Sequence, residues 1–368
     1  MIKVSFISGV CVKYDAISTA IRDEIGWMSS AGFDVRLFTY ACDWDSCRPK
    51  IVSGVSDVLL DPHFQSSDLI IYHFGIHYPL FDSLLARPIN SKAIVIFHNI
   101  TPKALLPEKD HETIDRSFEQ VSSLAFADHI GCDSQTNLDL LRSLGIRTDA
   151  RVLSLAVHSE LTPPREKPSR KDGVTRLMFI GRFVRSKGIT ELLAGLETAA
   201  ERSPDQPLRL DMVGNVDFSD PKVVEEVKAI SDTINAKFGN RVHVLLHGSV
   251  SDERKIELLS NADIFVLPTY HEGFCVPIIE AISAGCRVIA YDNSNVPAIS
   301  GGFGRLVETG NVKALSEAIE ETHADIQSTA WKTAGYAEYC LDTQHYISRF
   351  SSDATSRRFL KCITELLR

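Results

Sequence analysis

Ile264–Asp292 reads IFVLPTYHEGFCVPIIEAISAGCRVIAYD, and the fold follows from how this stretch divides. Ile264–Leu267 is a short apolar run closed by Pro268 and a polar turn, the pattern of a buried parallel strand. A loop, Thr269–Val276, comes next. Pro277 then stands where a helix has no use for an N–H. The spacing predicts a helix over Pro277–Ala284, ended by Gly285, and a second strand over Arg287–Tyr291. Neither Cys275 nor Val276 is a capping residue, so the free N–H groups and the positive end of the helix dipole are left for an anion or a polar ligand. Glu280 sits among Ile278, Ile279, Ala281, Ile282 and Ala284, which bury it, and a buried carboxylate needs donors. A ribose diol supplies two. Glu272, in the loop before the helix, can reach the same place. Each feature also has an ordinary account: the helix start can be hydrated, and Glu280 can pair with an Arg of the core.

HEGFCVPIIEA, with Glu272 and Glu280 as its ends, resembles the E-x(7)-E signature of the large retaining glycosyltransferase family numbered 4. The following AISAGCRVIAYD is similar with one change, Arg287 where that family usually has Pro. The resemblance implies a GT-B fold: two doubly wound parallel-sheet, Rossmann-like α/β domains facing a central cleft. It spans nearly the whole chain and is closest across 175–310.

The alternation of strand and helix patterns points the same way. Strands are expected at Lys3–Ser8, Asp34–Tyr40, Asp68–Tyr72, Ala93–Phe97 and His129–Cys132, with helices at Ala16–Ser30, His111–Ala127 and Ser134–Leu144, the last capped by Ser134. Ser159–Val174, rich in Pro and charge, reads as an exposed linker. A second series follows: strands Thr175–Ile180, Leu208–Val213 and Val242–Leu246, and helices Ile189–Ala200, Pro221–Phe238 and Asp252–Ser260. The expected domains are 1–158, which the resemblance makes acceptor-binding, and 174–340, donor-binding. The resemblance also implies that the final helix, about 353–368, packs back on the first domain. Gly301–Gly304 is expected to be a turn. In doubly wound sheets ligands bind at the carboxyl ends of the strands.

Composition narrows the class. The 368 residues suffice for two domains, and a net charge of −9 argues against a nucleic-acid binder. No run of about 18 apolar residues suggests a membrane span. The start, MIKVSFISGVCVKYD, is expected to be a buried strand rather than an export signal. The eight cysteines show no C-x-x-C pair or metal-ligand spacing and are expected to be reduced thiols. The basic run Arg165–Lys171 is read as solvated, with a peripheral membrane contact as the sharper alternative.

GRFVRSKG, Gly181–Gly188, places Arg182 and Lys187 in a strand-to-helix loop. Two cations there suit a diphosphate, gripped by Arg and offset by Lys as a point charge. The string resembles the family's phosphate grip, which implies that Arg182 and Lys187 neutralise the leaving diphosphate without a metal ion. Gly214 and Gly248 end the next two strands, where the resemblance implies contact with the nucleotide. His98, in IVIFHNITP, falls at the ligand edge of the first sheet, and relatives carry a His there near the donor sugar. The NITP string is shared with a subset that builds bacterial surface polysaccharides. Gly9 lies in the first glycine-containing loop, and Asp15 is a candidate acceptor contact. Pro297-Ala298 stands where the family often has Pro-Glu.

The resemblance thus implies a cytoplasmic, metal-independent retaining hexosyltransferase, without cofactor, working at the inner face of the membrane in surface polysaccharide or lipopolysaccharide biosynthesis. The donor is a nucleotide sugar, GDP-mannose favoured over a UDP-sugar, and the acceptor a glycan or lipid-linked glycan. The expected catalytic set is His98, Arg182, Lys187 and Glu272. Gly181, Gly214, Gly248, Glu272, Gly273, Phe274, Cys275, Val276 and Glu280 bind the donor, and Gly9 and Asp15 face the acceptor. Glu280 takes the ribose. A same-fold phosphorylase would need a pyridoxal phosphate lysine, for which there is no mark. A same-fold sugar-nucleotide epimerase and a non-catalytic sugar-nucleotide-binding or scaffold protein stay open.

Overall fold

The computed structural model describes residues 1–158, 167, 173–216 and 218–368. Two compact units divide the chain: Met1–Ala156 with Ser352–Arg368, and Val157–Ser351.

The first unit is built on strands β1 (Lys3–Ile7), β2 (Val10–Cys11), β3 (Asp34–Thr39), β4 (Ala41–Cys42), β5 (Pro49–Ile51), β6 (Leu69–Phe74), β7 (Lys92–Phe97), β8 (His129–Cys132) and β9 (Ala150–Val152). Seven of them form one sheet, β5-β3-β1-β6-β7-β8-β9, while β2 and β4 pair separately. All pairings in the main sheet are parallel, with Val4 opposite Val35 and Leu69. Side chains alternate across it. Ile70, Tyr72 and Phe74 join one core and Leu69 and Ile71 the other, so both faces are covered. Phe359 and Ile363 of the last helix, Ser352–Leu366, are buried in the second of these cores, and the Trp27 indole N–H donates to Ser352 Oγ at 3.3 Å.

The second unit carries β10 (Thr175–Ile180), β11 (Leu208–Val213), β12 (Val242–Gly248), β13 (Ile264–Leu267), β14 (Arg287–Tyr291) and β15 (Gly304–Val307) in the order β12-β11-β10-β13-β14-β15. This is a doubly wound order, and its direction reverses between β10 and β13. The carboxyl ends of those two strands open into the Gly181–Gly188 loop and the Thr269–Cys275 loop.

Several expectations hold to the residue: helices Ala16–Ser30 and Pro221–Phe238, and strands β10, β11, β13 and β14. The helix expected over Pro277–Ala284 runs Val276–Ser283. The helix expected over His111–Ala127 stops at Val121 and continues as a tighter turn, Ser122–Phe126. Gly304 is not a turn residue but opens β15, since an edge partner for β14 reaches into the glycine run. The small strands β2, β4 and β5 were not expected; they are too short to leave a period. Most of Ser159–Val174 lies outside the described residues. Of the basic run, Lys167 is described, and it is not a solvated cation. Its ammonium donates to the carbonyls of Ala262 and Ala284, both at 2.6 Å, just past the ends of two helices.

Candidate active site

In the second unit the reversal point is held by glycines and main-chain bonds. Gly188 is left-handed (φ 62°), and a Cβ on it would sit 1.9 Å from Pro268 O. Tyr270 N–H donates to Ser186 O at 2.8 Å, which ties the two loops together. On the far side Ser294 Oγ accepts from Glu272 N–H (2.9 Å), Asn295 Nδ2 donates to Phe274 O (2.8 Å), and Asn293 Nδ2 donates to Thr269 O (2.8 Å). The loop is therefore clamped from both strands beside it. Cys275, at φ 81°, makes the sharp step into the helix Val276–Ser283. As expected, no side chain caps that helix, and Pro277 brings no N–H.

Two carboxylates converge on this end, each on a lysine. Lys187 Nζ lies 2.5 Å from Glu272 Oε1, with side chains 18% and 11% exposed. Lys255 Nζ lies 2.9 Å from Glu280 Oε1, with Glu280 nearly buried. Burial alone would lower the Lys255 ammonium, but the charge and hydrogen bond of Glu280 outweigh it and hold it above its ordinary 10.5. Glu280 thus has a cationic partner, though a lysine from the helix Asp252–Asn261 rather than a core arginine. Arg182 is exposed and has no ion-pair partner among the described residues. Burial lowers the neighbouring His271 imidazole, against the smaller pull of Glu272, so the ring is neutral near pH 7.

The glycines at the strand ends have a packing account. A Cβ on Gly214 would lie 2.2 Å from Gly181 O, and Gly214 N–H is already given to Gly248 O at 3.1 Å. Arg287, the one change noted in this stretch, stacks its guanidinium over Trp331 and Tyr339, 5.1 and 5.4 Å from the ring centroids. Ala298 O accepts from the Tyr346 hydroxyl at 3.0 Å.

His98, Gly9 and Asp15 belong to the first unit. Asp15 caps the helix Ala16–Ser30, its Oδ2 accepting from Ser18 N–H (2.8 Å) and Ser18 Oγ (2.6 Å), so the residue has a structural use without any acceptor. Gly9 O accepts from Tyr40 N–H at 3.0 Å. His98 is turned inward. Its Nδ1 lies 2.8 Å from Asp133 Oδ2 and its Nε2 2.9 Å from His73 Nδ1, and His73 Nε2 lies 3.1 Å from Glu24 Oε2, off the line of a good hydrogen bond. All four residues are buried. Burial lowers the His73 imidazole and raises the Glu24 carboxyl; for His98 the same burial is outweighed by Asp133, which raises the ring. These directions agree on one proton arrangement: His98 charged against Asp133, His73 neutral and accepting at Nδ1, Glu24 protonated. A direct contact between a sugar and the ring nitrogens of His98 is therefore disfavoured, because both are spent inside the fold.

Lys255, Ser294, Asn295, Asp133, His73 and Glu24 were not singled out from the sequence. Asn293-Ser294-Asn295 after a strand was a legible turn signal. Lys255 looked like any exposed lysine.

Residues 163–337 match the family model "Glycosyl transferases group 1". The chain is 28% identical over 322 residues to the GDP-mannose:cellobiosyl-diphosphopolyprenol alpha-mannosyltransferase of Xanthomonas oryzae pv. oryzae, covering 83% of this chain and 77% of that protein. Among solved structures, a glycosyltransferase from Rickettsia africae superposes with a TM-score of 0.77 at 17% identity, covering 100% of this chain and 99% of the other. Sucrose-phosphate synthase from Thermosynechococcus elongatus superposes at 0.72 and 19%, with 100% and 99% coverage. Over residues 163–337 the chain is similar to the group 1 glycosyltransferases, and it has two parallel-sheet domains in a GT-B-type fold that resembles bacterial sugar transferases.

Proposed function

We propose that the chain transfers a hexose, mannose in the first instance, from a nucleoside diphosphate sugar to a glycan carried on a lipid diphosphate, with retention at the anomeric carbon and no metal ion. The observation that carries this is the Lys187–Glu272 contact at the reversal point of the second sheet, beside an uncapped helix start. The mannosyltransferase relative supports the choice of donor and acceptor.

The chemistry follows from the groups present. Glu280, steadied by Lys255, accepts from the ribose hydroxyls. Arg182 and the helix start receive the diphosphate. An ammonium has three donors, so Lys187 can serve a phosphate oxygen while keeping Glu272. Glu272 then orients the sugar hydroxyls. As the bond from the anomeric carbon to the phosphate oxygen breaks, negative charge grows on the diphosphate, where Arg182 and Lys187 meet it. The acceptor oxygen bonds to the same carbon on the same face, and its proton passes to the departing phosphate oxygen. His98 contributes as an anchor of the loop after β7 rather than through a ring contact.

The experiment is a turnover assay with GDP-mannose, other GDP-hexoses and UDP-hexoses against a lipid-diphosphate disaccharide, with the anomer of the product assigned by NMR. GDP-mannose should give an α-glycoside at equal rates with and without added magnesium or manganese. Turnover of no nucleotide sugar, in a chain that stays folded, would overturn the proposal. An inverted product would overturn the stereochemistry.

A further inference from the structure

Three cysteines that the sequence scatters meet in the first unit. The sulfur atoms of Cys11, Cys42 and Cys47 all lie within 4.8 Å of one another. Strands β2 and β4 set two of them side by side, Cys11 opposite Cys42 in the parallel register. The single turn Asp45–Cys47, closed by Cys47 N–H to Trp44 O at 3.1 Å, brings the third back onto them. Cys11 and Cys47 are fully buried, while Cys42 is partly open to solvent. We propose that Cys11, Cys42 and Cys47 form a structural site for one thiophilic metal ion of the zinc class, with the fourth position open on the Cys42 side.

Three observations carry the assignment. The spacing fits: a zinc ion holds each sulfur at about 2.3 Å, so three tetrahedral sulfurs stand about 3.8 Å apart, inside the observed limit. Cys42 Sγ already receives the Trp44 N–H at 3.5 Å, the kind of main-chain donor that steadies a thiolate. A three-thiolate site on a divalent ion carries one net negative charge, and the Arg22 guanidinium stands over the nearby Trp44 ring, 5.3 Å from its centroid. Any disulfide among the three would leave one thiol over, whereas a metal uses all of them. Binding replaces three S–H bonds by three metal–sulfur bonds and releases three protons to the solvent. The site lies between the loop after β1 and the loop after β3, so the ion would pin both against the helix Ala16–Ser30.

The test uses the full chain, reduced, stripped of metal and kept free of oxygen. Titration with Co2+ should give one equivalent of binding with thiolate-to-cobalt charge transfer in the near ultraviolet and tetrahedral bands in the visible, all removed by Zn2+. Cys42→Ser and Cys47→Ser should each weaken cobalt binding more than about tenfold, the least expected even for losing a residue that only supports a ligand. Cys340→Ser, in the second unit, should leave it unchanged. Should either variant fold poorly, the wild type decides alone: Zn2+ should protect Cys11, Cys42 and Cys47, and no other cysteine, from alkylation mapped by peptide mass. Absence of charge transfer in the folded, reduced chain would overturn the proposal. So would protection of a different set of cysteines, or a disulfide within the trio whose reduction restores no metal uptake.

Discussion

The two units use ionisable side chains in opposite ways. In the first, Glu24, His73, His98 and Asp133 stand in a row sealed from solvent, each facing the next. In the second, the Lys187–Glu272 pair joins two loops and the Lys255–Glu280 pair two helices, with side chains 10–25% exposed. A charge sealed among partners is tied to them, because leaving one unpaired in the interior is costly. A pair at the edge of water can trade a partner for a ligand. The difference accounts for two outcomes at once. His98, at a sheet's ligand edge by sequence, spends its ring on the fold, while Lys187 and Glu272 meet in a place where both can be shared.

The largest effect should come from breaking the buried row. Asp133→Ala leaves the His98 charge without its partner and should cost about 3–5 kcal/mol of stability, the range for removing one member of a buried pair. Urea denaturation measures it. A loss below about 1 kcal/mol, typical of an exposed pair, would erase the contrast between the units.

On the exposed side the expected losses are in binding, not folding. Arg182→Ala should weaken nucleoside diphosphate binding by about 1.5–3 kcal/mol in calorimetry and leave the melting temperature in place. Glu280→Gln should weaken both the bare nucleotide and the nucleotide sugar. Glu272→Gln should keep the affinity for bare nucleotide, since Lys187 is then free for phosphate, yet lower turnover. Equal loss of bare-nucleotide affinity in the two glutamate variants would collapse the division of labour between them.

The smallest effect is a slope. Burial raises the Glu24 carboxyl well above its ordinary 4.5, so the folded chain keeps a proton that the unfolded chain has lost. The stability this group contributes is full below that value and is lost as pH rises toward the folded value. Glu24→Gln removes the loss, so its melting temperature should gain on wild type as pH rises from about 5 to 8. A constant gap across that range would mean that Glu24 is ionised in the fold.

Much of the fold was legible locally. Apolar runs, Pro277 and Gly285 marked the strand–helix–strand stretch to within a residue, and Ser134 marked a helix start that the structure caps. Helix and strand periods, turn residues and caps are set by neighbours a few positions away, so a linear pattern carries them. The Glu272 loop, the uncapped helix start and the cation-bearing loop after β10 were visible for the same reason.

What the chain alone left undecided is which distant groups meet. The strand order put β10 beside β13, and with that Lys187 against Glu272. The same kind of placement drew His98 to His73 and Asp133, and Cys11 to Cys42 and Cys47. A sequence records residue types and local spacing, which determine elements and their ends. Partners across a sheet are chosen by how whole elements pack to bury both faces, and only the tertiary structure makes that choice.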